Sequence, residues 1–173
     1  MRATTNRIFV VVALTASMVG FSLRPAAAQN FLNVGVRIGV KLGGGLTVGG
    51  ELSYGAWRGA FAGVAAGIDY TFAGGFRDNI LRLYADLEGG LIAVGMAFGG
   101  SVLFTDGRLR LGRQGSIFAG WPVDTADPDR WTLMMAYYRA LKITGDSHTV
   151  KDIGLFFKSS YPVGEGNYDF SLE

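Results

Sequence analysis

Residues 33–42 read N-V-G-V-R-I-G-V-K-L, and this stretch decides the fold. Branched aliphatic residues occupy every second position, and small, polar or charged residues lie between them. A strand turns successive side chains to opposite faces, so the stretch predicts a strand with one hydrocarbon face and one small or polar face. The aliphatic positions are Val34, Val36, Ile38, Val40 and Leu42.

The same alternation recurs to residue 163, interrupted by turn signals such as Asp106-Gly107 and Gly89-Gly90. It blurs at 112–116, where we expect a β-bulge. We expect a loop at 122–130, which holds two prolines and three aspartates. The predicted strands are 33–42, 46–57, 61–72, 80–88, 91–105, 108–121, 131–143 and 149–163.

Residues 1–28 have the features of a secretory signal peptide. Arg2 and Arg7 precede an apolar run, and 26–28 is a row of alanines that suits cleavage after Ala28. We therefore divide the chain into a signal peptide (1–28), a barrel domain (29–163) and a C-terminal tail (164–173). No cysteine is present, which excludes disulfides and thiolate metal sites.

The composition argues against a nucleic-acid partner and against an ordinary soluble domain. Loss of the signal peptide removes three arginines, so the net charge falls from +2 to −1 and no basic patch remains as evidence for nucleic acid. Charged residues are 17% of the chain, against ~25% in typical globular proteins. Glycine contributes 27 of 173 residues, about twice its usual ~7%.

The less aliphatic strand face indicates which side of the sheet meets water. In strands 61–72 and 91–105 this face is mostly glycine and alanine, which suits a crowded interior better than a solvated surface. Elsewhere it carries charges of both signs, which could pair inside a narrow lumen, while the aliphatic face meets lipid. The predicted lumen charges are Arg37, Lys41, Glu51, Asp69, Arg82, Asp86 and Glu88.

Most predicted strands are also long enough for a membrane barrel, where crossing takes ~9–11 residues, whereas soluble strands average ~5–6. Aromatic residues fall near the strand ends, where an interfacial girdle would lie. These residues are Tyr54, Trp57, Tyr70, Phe72, Phe104, Trp121 and Trp131.

From about residue 31 to residue 163, the chain resembles the small eight-stranded outer-membrane β-barrels of Gram-negative bacteria. The resemblance implies an all-β, eight-stranded, antiparallel up-and-down barrel embedded in the outer membrane, with lipid as its partner. Its implied role is structural, in membrane integrity, with no catalysis and no cofactor. In that class the long loops are extracellular, whereas the predicted loop 122–130 falls on the side of the chain termini.

Two other architectures remain open on the sequence. A soluble periplasmic β-sandwich or calyx would turn the aliphatic faces inward and bind an apolar ligand. The uncharged run 89–104 has Gly95 and Gly99 at G-x-x-x-G spacing, which also fits a helix-packing face.

Two clusters raise the question of chemistry. Asp146, Ser147 and His148 suggest an outer-membrane lipid hydrolase, but adjacent strand residues point to opposite faces and a triad is defined by geometry. Asp124, Asp127 and Asp129 could offer oxygens to calcium, but their spacing matches no calcium loop. We therefore predict no catalytic, cofactor-binding or metal-binding residues, and the sequence identifies no protein partner.

Overall fold

The computed structural model describes residues 29–73, 79–91, 94–127 and 130–164, which form a closed sheet of eight antiparallel strands. Each strand pairs with the next along the chain, and β8 pairs with β1 to close the barrel. The predicted all-β, eight-stranded antiparallel barrel is therefore confirmed. The strands are β1 (Gln29–Lys41), β2 (Leu46–Trp57), β3 (Phe61–Phe72), β4 (Ile80–Leu91), β5 (Val94–Thr105), β6 (Arg108–Asp127), β7 (Arg130–Ile143) and β8 (Thr149–Val163).

Strands β2, β3 and β8 begin and end where the alternation predicts, but the turn predicted at Gly89-Gly90 is wrong. These glycines continue β4 and pair with Met96 and Gly95 of β5. The predicted signal peptide, 1–28, and the tail beyond Gly164 lie outside the described residues. So do 92–93, between β4 and β5.

The uncharged run that also fitted a helix lies in β4 and β5 wherever it is described. Within the described ranges, no helix is long and apolar enough to cross a membrane.

Strand β6 departs most from its prediction. No bulge interrupts 112–116, which keeps continuous register with both β5 and β7. The predicted loop 122–130 is also wrong, because β6 continues to Asp127 and irregular pairing with β7 begins only after Pro122. Among the described residues, β6 pairs with β5 as far as Ala119, and a strand position at a sheet edge tolerates proline.

The strands are staggered around the barrel. Following paired residues once around the sheet returns to β1 ten residues away, along Val40, Ile153, Tyr138, Ile117, Met96, Gly89, Ala62, Ala56 and Asn30. With ~3.3 Å per residue and ~4.8 Å between strands, this stagger tilts the strands by about 40°. Side chains alone are sufficient to fill an eight-stranded interior.

The connections differ between the two ends of the barrel. We call the end where β1 starts and β8 finishes the terminal end; its connections are 58–60, 92–93 and 128–129. The opposite end, the loop end, has the connections 42–45, 73–79, 106–107 and 144–148. Asp106 (φ 53°) and Gly107 (φ 68°) form the predicted two-residue hairpin turn.

The barrel has apolar residues outside and polar residues inside. All the aliphatic positions of the deciding stretch are exposed, with Val36 at 60%, whereas Arg37 between them is buried. Every described strand shows exposed apolar residues on its outer face, and Leu87 of β4 reaches 69%. A soluble calyx needs the opposite orientation of these faces.

Inward-facing glycines make room for large side chains on other strands. A Cβ at Gly39 would fall on the Tyr137 hydroxyl, and a Cβ at Gly67 would fall on the Tyr84 ring. Phe156 and Phe118 fill the corresponding spaces beside Gly35 and Gly95. The high glycine content therefore allows a narrow lumen to hold aromatic rings.

Valine at Gly67 should destabilise the barrel, and valine at Gly50 should not. The Cβ atom of a valine at position 67 would clash with Tyr84 and approach the Gly50 carbonyl oxygen at 2.6 Å. Overpacking of this kind costs about 1–3 kcal/mol. At Gly50, the nearest atom to an added Cβ is 3.8 Å away, so we expect a change within about 0.5 kcal/mol. Urea unfolding of both refolded variants measures the difference, and equal destabilisation would contradict this use of glycine.

Candidate functional site

The candidate site is the polar lumen. The structure buries six of the seven predicted lumen charges, Arg37, Glu51, Asp69, Arg82, Asp86 and Glu88. Lys41, the seventh, is half-buried where β1 ends at the loop end. The alternating faces of β1 to β4 position these side chains.

Three further lumen charges come from β7 and β8. Arg139, Asp152 and Lys158 are all buried, with Arg139 only 1% exposed. Asp152 and Lys158 lie opposite Ile153 and Leu155 in the alternation of β8, so that pattern could have identified them. Arg139 follows Tyr137 and Tyr138, and two adjacent aromatic residues hide the phase of β7.

Asp69 is the centre of the first ion-pair cluster. Its Oδ2 atom accepts hydrogen bonds from Arg82 and from Arg139 Nη1, the latter at 2.7 Å, and lies 3.5 Å from Arg37 Nη1. Arg139 also donates through Nε (3.0 Å) and Nη2 to the two oxygens of Asp152. This bidentate geometry is the strong form of an arginine–carboxylate pair.

Lys158 is the centre of the second cluster. Its Nζ lies 2.8 Å from Glu88 Oε2 and 3.1 Å from Glu51 Oε1. Glu51 joins the two clusters, because its Oε2 also accepts from Arg37 Nη2 at 2.9 Å and from the Tyr84 hydroxyl at 2.9 Å. One connected network therefore spans strands β1, β2, β3, β4, β7 and β8.

Aromatic rings surround the cations of this network. The Arg37 guanidinium lies 4.7 Å from the Phe156 ring centroid, 5.0 Å from Tyr137 and 5.4 Å from Tyr84. Lys158 Nζ lies 5.2 Å from the Phe156 ring. These distances fall within the range of cation–π attraction, so the rings supplement the carboxylates.

Asp86 differs from the other buried acids. It accepts a hydrogen bond from Gln114 Nε2 at 2.8 Å. The described side chains provide no cation within ion-pair distance of it. This pair is separate from the network above, and Gln114 is the buried polar residue that the described part of β6 contributes to the lumen.

Apolar residues lie on both sides of the charge network along the barrel axis. At the loop end, Ile80, Leu103, Leu141 and Ile143 form a buried cluster. Toward the terminal end, Met135 packs with Tyr137 and Phe156, and the mouth beyond is a pocket. Aromatic residues in its lining include Phe31, Trp57, Phe61, Phe118 and Trp131.

This packing revises the predicted aromatic girdle. Tyr54, Phe72, Phe104 and Trp121 are exposed on the outer wall, and Tyr70 packs edge-on against Phe72 at 4.6 Å between ring centroids. Trp57 and Trp131 instead occupy inward-facing strand positions at the mouth. The Trp131 ring contacts the Phe31 ring edge-on at 5.3 Å.

The connection 144–148 does not have the geometry of a catalytic triad. Ser147 Oγ (3.2 Å) and Asp146 Oδ1 (3.4 Å) both approach the Nδ1 atom of His148, whereas a triad places serine and carboxylate on different ring nitrogens. The His148 side chain is 90% exposed. Its backbone N–H donates to Asp146 Oδ1 at 2.9 Å and so lowers the pKa of that carboxyl below its usual value.

The three aspartates at 124, 127 and 129 fall at the end of β6 and in its connection to β7. Asp124 and Asp127 lie in β6, not in a loop, and the side chains of Asp124, Asp127 and Asp129 lie outside the described part of the structure. Across the side chains that are described, no three His, Cys, Asp or Glu residues come together in a way that could hold a metal ion.

Comparisons with known proteins add a weak structural likeness. No family model and no curated protein sequence matches the chain. A solved structure described as "De novo design of transmembrane beta-barrels" aligns with 82% of this chain and 100% of its own, at 13% identity and a TM-score of 0.37. The barrel assignment rests on the strand pairings themselves.

Replacing Asp69 with asparagine should strongly destabilise the barrel. The change removes the negative charge that three buried arginines share, and leaving buried charges uncompensated costs about 3–5 kcal/mol. The matched control is Asp106→Asn, because an exposed turn with positive φ accepts asparagine readily. Urea unfolding of both variants measures the two costs, and a mild effect at Asp69 would contradict its central role.

Proposed function

We propose that the chain is an outer-membrane β-barrel that serves membrane integrity through its structure and performs no catalysis. One observation carries the proposal. The closed barrel exposes aliphatic side chains around its outer wall and buries a network of ion pairs inside. This distribution suits a protein whose exterior contacts lipid.

The closed sheet meets the main requirement of the bilayer core. Backbone N–H and C=O groups find no water there, so a spanning sheet must have no open edge. Pairing between β8 and β1 runs over twelve residue pairs and closes the sheet. An open sandwich would leave two edge strands unpaired.

The height of the apolar wall supports the same proposal. On β1 and its extension, exposed apolar residues run from Leu32 to Leu42. At ~3.3 Å per residue and a tilt of about 40°, this run rises about 25 Å along the barrel axis. Outer-membrane barrels have an apolar band of about 25 Å.

The connections support an orientation. Membrane barrels of this kind place short turns in the periplasm and longer loops outside. The terminal end has connections of two or three residues, whereas two loop-end connections reach five and seven residues. We therefore infer that the terminal end faces the periplasm. Extension of β6 to Asp127 removes the long periplasmic loop that the sequence suggested.

Dense packing of the lumen supports a structural role over conduction. The buried charges are mostly paired with one another, and an apolar cluster fills the loop end. A water-filled channel needs a wider barrel. The expected signal peptide is consistent with delivery to the cell envelope.

Envelope fractionation tests the proposal directly. The processed chain should be recovered with outer membranes, and unheated and boiled samples should migrate differently in an SDS gel because a closed barrel resists unfolding until it is heated. Release into the soluble periplasm without a mobility shift would overturn the proposal. A soluble β protein processed through the same preparation is the control for fractionation.

A lysine on the middle of the outer wall should impair folding in lipid. Val36→Lys places a charge near the centre of the apolar wall, where we expect a cost of about 2–4 kcal/mol. Leu42→Lys is the matched control at the edge of the wall, where the cost falls to about 0–1 kcal/mol. Folding free energies in phospholipid vesicles measure both. Equal costs at the two positions would show that the wall does not contact the bilayer core.

A further inference from the structure

A cluster of three basic residues interrupts the apolar outer wall. Apart from Arg130 at the first position of β7, the charged residues at the described outward-facing strand positions are Arg113, Lys142 and Lys151. They lie on the adjacent strands β6, β7 and β8, and we call them the basic triad. Arg113 and Lys151 are exposed, and Lys142 is partly exposed.

The strand register brings the three side chains together. Arg113 pairs directly with Lys142, and Lys142 pairs with Thr149, two residues from Lys151. Directly opposed side chains have Cβ atoms about 5 Å apart, and diagonal neighbours about 7–8 Å. Given the strand tilt, the triad lies within about 3 Å of one height along the barrel axis. On β8 this height is next to Leu42, where the apolar run of β1 ends, and on β6 the exposed Leu109 and Leu111 lie between Arg113 and the loop end.

The triad has no acidic partner among the described side chains. The Lys142 amine donates to the Ser147 carbonyl oxygen at 2.6 Å, and the nearby Asp146 carboxylate lies 3.9 Å from Arg110. Like charges placed directly opposite each other destabilise a sheet. Three neighbouring cations on this face therefore call for an anion from outside the chain.

The surrounding wall indicates the kind of anion. Directly across from Lys151 lies Ala140, and across from Ala140 lies Gly115. Beyond these small residues, toward the middle of the wall, Ile117, Tyr138 and Ile153 are exposed. An apolar surface thus continues from the triad into the wall, where an acyl chain can pack beneath a bound headgroup.

We propose that the basic triad binds the phosphate group of an anionic lipid in the leaflet around the loop end. Arginine can hold two phosphate oxygens at once, and the lysines supply two further point charges. The proposal rests on the membrane insertion proposed above. It adds a specific lipid site to a wall that otherwise contacts hydrocarbon.

Native mass spectrometry tests the site. The full chain is released from mixed micelles that contain equal amounts of dioleoyl phosphatidic acid and dioleoyl phosphatidylcholine, and retained lipids are counted. The wild type should retain phosphatidic acid in preference to phosphatidylcholine. The R113Q/K142Q/K151Q variant should lose at least about ten-fold of that preference, since the several-fold gain for anionic lipid that each basic residue near a membrane surface contributes is multiplied over three residues. The control R58Q/R108Q removes basic residues near strand ends and should keep the preference.

Each outcome decides the proposal. Equal retention of the two lipids by the wild type, or an unchanged preference in the triple variant, overturns it. Displacement of phosphatidic acid by excess inorganic phosphate would show a site for free anions and overturns the lipid assignment. If the triple variant does not fold, the wild-type ratio alone decides. Flotation of the wild type with vesicles reports insertion separately, so failure of the site and failure of the membrane assignment are distinguishable.

Discussion

The width of the lumen is the constraint on which the rest of the structure depends. Eight strands at this stagger enclose a space that side chains fill, so charges inside contact one another in place of bulk water. A buried charge without a partner is costly, and the charges must therefore be arranged by sign. Three arginines around Asp69 and one lysine between Glu51 and Glu88 satisfy this requirement.

The same constraint explains why glycine is frequent on the inner face. Tyr84 and Tyr137 need space across the lumen, and Gly67 and Gly39 on other strands provide it. Strand propensity is lost at each glycine, but closure into a paired sheet and the packing of rings compensate. On the outer face no such limit applies, and apolar residues occupy most positions.

Much of the fold could be predicted from the sequence, because each strand face has one chemical character. Alternation of period two predicted all eight strands and the buried position of residues such as Asp69 and Arg82. It failed in β6, where Arg113 is a charge on the outer wall and Gln114 is inward-facing, so polarity no longer distinguishes the faces. Pro122 suggested a loop because the sequence does not show that β6 continues beyond its described pairs with β5, which reach Ala119.

The candidate site was predictable only in part. Which charges lie inside follows from alternation along one strand, but which acid meets which base depends on how the sheet closes. Asp69 pairs with Arg139 and Glu88 with Lys158 across seventy residues of sequence. No local pattern encodes a contact of that kind.

This distance in sequence has a consequence for the order of assembly. In the described lumen, β1 to β4 carry an excess of acid, β7 and β8 carry an excess of base, and β5 and β6 between them contribute no buried charge. A sheet that is still open between β1 and β8 can keep the pairs made within each set, such as Arg139 with Asp152, but Lys158 then lacks Glu51 and Glu88. Pairing of β1 with β8 and neutralisation of the remaining charges therefore occur together. This makes the last step of folding cooperative and disfavours partly paired sheets within a bilayer.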